Sequence, residues 1–199
     1  MQHRNKKVVA ALAVIALAGA VPLLGSHSER AAAAASSAPA WTIQPGDTLA
    51  FSVGNGSDTI AAKFAKWGGT INLDPDNPGP AAIHINVDLT SASIGDSFKD
   101  QLLQGDEFFD TPANPTATYD SSSVTAQGGG AFLAHGTLNL RGMAMPQDVQ
   151  FHLTGSGAQR HVEGTASVAR IPYGIGNGEH GNGLDASVKV TFTFDATRQ

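Results

Sequence analysis

Apolar and polar residues alternate with a period of two through most of the chain after residue 41. The clearest example is residues 184–194, where every second residue is apolar and the intervening residues are polar. Successive side chains of a β-strand point to opposite faces, so this period indicates strands that bury one face. Eight or nine strands are predicted, over residues 49–53, 59–64, 70–73, 83–89, 116–126, 131–140, 149–153, 162–168 and 184–194.

Turns rich in glycine, proline and aspartate separate these strands, for example at residues 54–57, 74–79 and 128–130. Short strands joined in this way are typical of antiparallel hairpins rather than of alternating strands and helices. We therefore predict an all-β domain, either a barrel or a sandwich, because the period fits both. An outer-membrane barrel is disfavoured, since such barrels carry aromatic girdles and only 7% of this chain is aromatic.

Residues 93–110 depart from the period of two and predict one short helical segment. Asp96 or Ser97 would cap this helix at its N-terminus. The helix would either cover one end of the barrel or cross over its outside. Its apolar residues recur at spacings of three to four: Ile94, Phe98, Leu102 and Leu103.

Small and large apolar residues both occur at positions predicted to face inward. Ala134, Ala166 and Ala186 are small, whereas Phe51 and Phe192 are large. An eight-stranded barrel is just wide enough to be filled by its own side chains or to hold one slender ligand, and the pattern leaves both readings open. A cavity lined by apolar groups would stay dry and accept an apolar guest such as a lipid.

The N-terminal region has the three-part layout of a secretory signal. Basic residues precede an apolar run over residues 8–24, and an alanine-rich tract follows over residues 31–35. We expect residues 1–35 to be a signal peptide, with cleavage as late as residue 40, and the remainder to be periplasmic or secreted. An uncleaved membrane anchor is the alternative, which the glycines and proline within the run disfavour.

Charge and cysteine content narrow the function further. Without residues 1–35, eight basic and sixteen acidic residues remain, a net charge of -8. An acidic domain is a poor partner for nucleic acid. The chain contains no cysteine, which excludes disulfides and thiolate metal sites. We also expect no stable membrane insertion once the signal is removed, and a homodimer is one assembly left open.

Catalytic and metal-binding patterns are weak. The histidines lack the short spacings that place two imidazoles on one metal ion, so we predict no metal. Acid–base chemistry would need a cluster such as Asp106, Glu107 and Asp110 with His135 or His180. We predict that the protein is not an enzyme; the alternatives are a hydrolase or other enzyme acting on a bound lipid, and a ligand-free interaction domain.

Several motifs occur in order along residues 41–197. The most specific has the form D-x-x-L, F-F-D and P-x-A-T-Y and lies within residues 100–119. A G-x-L-x-x-R-G stretch followed by proline covers residues 136–146, and R-x-x-Y-G-I covers residues 170–175. Together with Trp41 and residues 69–76, these motifs resemble the YceI-like family of polyisoprenoid-binding proteins.

The resemblance implies a single antiparallel, eight-stranded, lipocalin-like β-barrel with an apolar pore. The pore would hold an isoprenoid lipid or quinone-like molecule for carriage or storage, with no catalytic residue and no cofactor besides that lipid. The chain departs from the family pattern at residues 47–48 and 54–55, where Asp-Thr and Gly-Asn stand. If those positions meet a polar head group, the head group bound by this chain differs.

Eighteen residues are predicted to line the barrel interior and contact the ligand. Among them Arg170 is the only charged residue, and an arginine on an apolar face needs a partner. It would pair with Asp100, Asp106 or Asp110, or it would bind a pyrophosphate or quinone oxygen. The full set is Phe51, Val53, Phe64, Ile83, Ile85, Leu102, Phe108, Phe109, Phe132, Ala134, Leu138, Phe151, Ala166, Val168, Arg170, Ala186, Val188 and Phe192.

Overall fold

The structure is a computed structural model that describes residues 38–44 and 48–199. The predicted signal peptide and residue 47 lie outside this part of the chain. The described elements are, in chain order, β1 (Ala40–Ile43), β2 (Thr48–Asn55), β3 (Asp58–Phe64), β4 (Trp67–Asn72), β5 (Ala82–Asp88), β6 (Ala92–Ser93), α1 (Ser97–Gln104), β7 (Thr116–Gly128), β8 (Ala131–Leu140), β9 (Met143–Thr154), β10 (Gln159–Ala169) and β11 (Ser187–Arg198).

All strand pairings are antiparallel, and they close into an eight-stranded barrel. The ring runs β1, β4, β5, β7, β8, β9, β10, β11 and returns to β1 through the pair Trp41 and Arg198. The other three segments extend members of this ring, since β2 pairs with β11 and β3, and β6 pairs with β3. The predicted antiparallel barrel is therefore confirmed, and a sandwich is excluded.

The two ends of the barrel differ. The lower end carries the β7–β8 hairpin at residues 128–130 and the β9–β10 hairpin at residues 155–158. The helix end carries α1, the β2–β3 hairpin and the long connection between β10 and β11, residues 170–186. That connection contains two 3-10 turns, Ile171–Tyr173 and Glu179–Gly181.

Aromatic side chains fill the interior toward both ends. At the lower end, Phe132 stacks on Phe151 with ring centroids 5.3 Å apart, and the indole N–H of Trp41 donates to the Leu73 carbonyl at 2.8 Å. At the helix end, three phenylalanine rings lie 5.4 to 6.0 Å from one another: Phe51, Phe64 and Phe109. Contacts at these distances add to the free energy of burial.

Glycine is required where a ring crosses the inner face of a strand. A Cβ at Gly164 would overlap the Phe192 ring on the neighbouring strand, and a Cβ at Gly136 would overlap the Tyr119 ring. These two glycines therefore accommodate aromatic rings and do not widen the cavity.

The helix is shorter than residues 93–110. Asp96 caps it as predicted, because its carboxylate accepts hydrogen bonds from the N–H groups of Phe98 and Lys99 at 3.0 and 3.1 Å. Leu103 on the inner side of α1 is buried, whereas Phe98 is 67% exposed. The core therefore covers only part of the apolar side chains of α1.

Candidate functional site

The barrel encloses a cavity of about 480 Å³ that is lined almost entirely by apolar side chains. This observation decides against the filled-core reading of the inward pattern. Sixteen of the eighteen predicted residues lie on its wall: Phe51, Val53, Phe64, Ile83, Ile85, Leu102, Phe108, Phe109, Ala134, Leu138, Phe151, Ala166, Val168, Arg170, Val188 and Phe192. Their contact with a ligand stays a prediction.

The other two predicted residues lie elsewhere. Phe132 faces inward but packs in the lower core against Phe151, away from the cavity surface. Ala186 is exposed, because β11 begins at Ser187 and the two-residue period does not hold in the connection before it. Its carbonyl accepts a hydrogen bond from the backbone N–H of Arg170 at 3.0 Å.

Several wall residues were missed by sequence reasoning. Val190 and Phe194 alternate in register with predicted residues of β11, so the same period could have found them. Ile175 and His180 lie in the irregular connection between β10 and β11. An irregular segment shows no alternation of apolar and polar residues, so the sequence does not reveal which of its residues reach the cavity.

The cavity reaches the surface at the helix end. Three of its wall residues, Asn55, Lys99 and His180, are exposed, and all three belong to elements of that end. At the lower end the wall includes the buried Trp41 and Leu73 and the half-buried Pro75, Leu153 and Arg160, and none of these is exposed. The mouth of the cavity therefore lies beside α1.

Tyr119 adds a polar group to the apolar wall. Its hydroxyl donates to the Ala134 carbonyl at 3.2 Å across the β7–β8 pair. Burial raises the pKa of Tyr119 to about 12, with a smaller contribution from the negative charge of Asp148. The hydroxyl is therefore neutral and internally bonded at physiological pH, as an apolar cavity requires.

One part of the wall lacks a backbone ladder. β9 pairs with β10 only from Gln150 to Thr154, although both strands continue toward the helix end. Pro146, which has no N–H to donate, lies in the part of β9 that pairs with β8 but not with β10. The Gln147 amide closes the gap by donating to the Asp148 carbonyl at 2.8 Å and to the Ser167 carbonyl of β10 at 3.2 Å.

Arg170 is buried on the wall and is bonded to backbone carbonyls. Its five guanidinium N–H groups match five acceptors, at 2.7 to 3.3 Å, in the connection between β10 and β11. None of the described ion pairs involves it. The predicted ion pair is therefore wrong, and no donor remains for a ligand oxygen. The acceptors are the carbonyls of Ile175, Gly176, Gly181, Leu184 and Asp185.

This arrangement explains how a long glycine-rich connection keeps a defined shape at the cavity mouth. The carbonyl oxygens converge on the guanidinium because the chain wraps around it. A Cβ at Gly181 would overlap the backbone of Gly176. These two parts of the connection can therefore come this close only because residue 181 is a glycine. Arg170 therefore holds in place the connection between β10 and β11, which forms part of the rim of the cavity mouth.

Glu107 and His180 join two further segments of the rim. The Glu107 carboxylate accepts from His180 Nδ1 at 2.8 Å and from the Gly181 N–H at 2.9 Å. The hydrogen bond to Glu107, helped by its negative charge, raises the pKa of His180. The reciprocal hydrogen bond from His180 lowers the pKa of Glu107.

We expect this contact to be strongest between about pH 4.5 and 6.5. A raised imidazole pKa gives stability that is present below 6.5 and lost as the pH rises through the folded value. A lowered carboxyl pKa gives stability that is present above 4.5 and lost as the pH falls through the folded value. NMR titration should place the His180 pKa above 6.5, and Glu107→Gln should lower it. Glu163→Gln, at an exposed position of β10, should leave it unchanged.

The acid–base cluster that the enzyme alternative would need does not assemble around the cavity. Only Glu107 and His180 are in contact, whereas His135 pairs with Asp148 at 2.7 Å on the outer surface. Asp110 adopts a φ of 49° and accepts from the Asn114 amide at 3.2 Å, which fits a role in the turn after α1.

Residues 38–44 and 48–199 contain no group of three or more acidic or histidine side chains placed to hold a metal ion. They also contain no helix long and apolar enough to cross a membrane.

The sequence matches the family model of the YceI-like domain over residues 41–196. The chain belongs to the YceI-like family. The match spans nearly the whole barrel, so the wall and rim described above lie within the matched residues.

The chain is also similar to proteins named UPF0312. A UPF0312 protein of Shewanella sp. (strain ANA-3) is 26% identical over 126 residues, which cover 60% of this chain and 66% of that protein. A UPF0312 protein of Pseudomonas aeruginosa (strain LESB58) is equally identical, with 65% of its length covered. The chain thus matches just under two thirds of the length of these YceI-like relatives.

Solved structures share the YceI-like fold at low sequence identity. Burkholderia cenocepacia BcnA has a TM-score of 0.72 and 22% identity, with 76% of this chain and 96% of BcnA covered. A polyisoprenoid binding domain from Saccharophagus degradans, implicated in plant cell wall breakdown, has a TM-score of 0.63 and 16% identity, with 81% and 99% covered.

Proposed function

We propose that this protein holds one long isoprenoid chain, of the polyprenyl or quinone type, in its barrel for carriage or storage outside the cytoplasm. The cavity carries this proposal, because about 480 Å³ of apolar space lies within the usual range of ligand pockets. An empty space of that size would cost packing energy. The Saccharophagus degradans neighbour, described as a polyisoprenoid binding domain, supports the same ligand class.

The orientation of the ligand follows from the two ends of the cavity. The lower end presents the buried side chains of Trp41 and Leu73 and suits the apolar tail. The mouth presents the ammonium group of Lys99 and the imidazole of His180. A phosphate or quinone oxygen would therefore lie at the helix end, where it can accept hydrogen bonds from these groups and stay hydrated.

The location outside the cytoplasm rests on the N-terminal pattern. The basic start, apolar run and alanine-rich tract form a secretory signal layout. Determining the N-terminus of the protein recovered from the medium or periplasm tests this part. An intact Met1 in a cytoplasmic fraction would contradict it.

Mass spectrometry of the purified protein tests the ligand. The protein is purified without detergent, extracted with organic solvent, and the extract is compared with that of an unrelated protein from the same cells. We expect an isoprenoid lipid at close to one molecule per chain. A preparation that repeatedly contains no stoichiometric lipid would contradict the proposal.

A further inference from the structure

Two large apolar side chains are exposed in the described part of the chain, and both lie at the helix end. Phe98 in the first turn of α1 is 67% exposed, and Ile171 at the start of the 3-10 turn after β10 is 45% exposed. No other large apolar residue among those described is exposed to this degree. Exposed apolar groups collected on one side indicate an interaction surface.

Phe98 continues the cavity wall outward. It lies four residues before Leu102, so the two side chains occupy the same face of α1. Leu102 and the adjacent Lys99 both line the cavity. The exposed ring of Phe98 therefore lies on the same face of α1 as a residue of the cavity wall.

Ile171 belongs to the same rim. The connection that contains it is tied to the segment after α1 by a hydrogen bond from the Gly176 N–H to the Glu107 carbonyl at 2.7 Å. Arg141 adds a second link, because its guanidinium donates to the carbonyls of Gly174 and Asp106 at 2.6 and 2.9 Å. These bonds hold the two segments together as one end of the barrel.

We propose that the helix end, through Phe98 and Ile171, docks on the surface of a lipid bilayer. This proposal rests on the proposed function, since an isoprenoid would be taken from a membrane. Insertion of Phe98 at the interface would place the mouth against the acyl chains, and the ligand could pass along Leu102 without crossing water. The rim carries Asp96, Asp100 and Glu179 besides Lys99 and His180, and this excess of acidic groups favours zwitterionic over anionic lipid.

Flotation with vesicles tests the docking. The protein, with its N-terminus established by mass spectrometry, is mixed with phosphatidylcholine vesicles or with vesicles that also contain phosphatidylglycerol. We expect binding to phosphatidylcholine that persists at high salt and weakens with phosphatidylglycerol at low salt. The double variant Phe98→Ser, Ile171→Ser should lower the partition coefficient at least about tenfold, because apolar burial drives such binding.

Two variants serve as controls. Ala158→Ser changes an exposed residue in the β9–β10 hairpin at the lower end and should bind as the parent does. Phe98→Leu keeps an apolar side chain and should retain most of the binding. Circular dichroism checks the fold of each variant.

Three results would overturn the docking proposal. The first is absence of vesicle binding by the parent protein, and the second is equal binding by the parent and the double variant. The third is that the parent sediments as a dimer and the double variant as a monomer, because the exposed side chains would then form a contact between two copies of the chain. Lipid content is measured separately on the same samples. Stoichiometric lipid without vesicle binding would overturn docking alone, whereas vesicle binding without lipid would overturn the proposed ligand.

Discussion

Arg170→Met should lower the free energy of unfolding by about 3–5 kcal/mol. The substitution keeps an apolar stem but removes all five donors, so five carbonyl oxygens in the connection between β10 and β11 lose their partner. Buried polar groups left unpaired cost about 1–3 kcal/mol each, and rearrangement or water entry would recover part of that. Urea unfolding followed by tryptophan fluorescence measures the change.

Arg198→Met is the matched control for this prediction. Arg198 is exposed on β11, and surface substitutions usually change stability by less than about 0.5 kcal/mol. Hydrogen exchange should show the loss at Arg170 concentrated in residues 175–185, at the cavity mouth. If Arg170→Met unfolds at the same urea concentration as Arg198→Met, the guanidinium does not hold the connection in place.

Ala166→Phe should abolish most of the lipid binding while leaving the barrel folded. Ala166 lies on β10, faces the cavity and is opposite Val190. A ring added there would fill part of the roughly 480 Å³ that an apolar chain would occupy. Because the ring enters empty space rather than a packed core, the usual cost of overpacking, about 1–3 kcal/mol, should be reduced.

Ala169→Phe provides the comparison, since Ala169 is an exposed residue of the same strand. Lipid per protein chain, determined by mass spectrometry, should fall at least about tenfold for Ala166→Phe and stay near the parental value for Ala169→Phe. Equal lipid content in the two variants would mean that the ligand does not occupy the cavity beside β10.

The alternation of apolar and polar residues predicted most of the strands. A half-buried strand shows its period whatever its neighbour, which is why residues 131–140 were predicted with the observed bounds. Strand ends were less certain, as β9 begins at Met143, six residues before the predicted start. Pro146 and the polar Gln147 interrupt the alternation that begins with Met143 and Met145. The sequence pattern therefore did not show the early part of β9.

Candidate residues of the cavity wall were predicted mainly in regular strands, and some were missed in irregular segments. Inward residues of regular strands were found, because burial of one face imposes the pattern. Ala186 was misplaced by extending that pattern three residues beyond the start of β11 at its N-terminal side. His180 and Ile175 were missed, because residues of an irregular connection reach the cavity only through the path of the backbone.

The sequence by itself determined that this chain forms antiparallel strands with one apolar face, that a helix is capped by Asp96 or Ser97, and that Arg170 is out of place on an apolar face. Each of these is a local property, set by backbone geometry or by the cost of burying charge. Tertiary structure decided that the strands close into a barrel around a cavity, that Arg170 bonds to carbonyls instead of carboxylates, and that Phe98 stays exposed. Every residue carries a carbonyl and any apolar face can be buried, so only the path of the chain selects which of them meet.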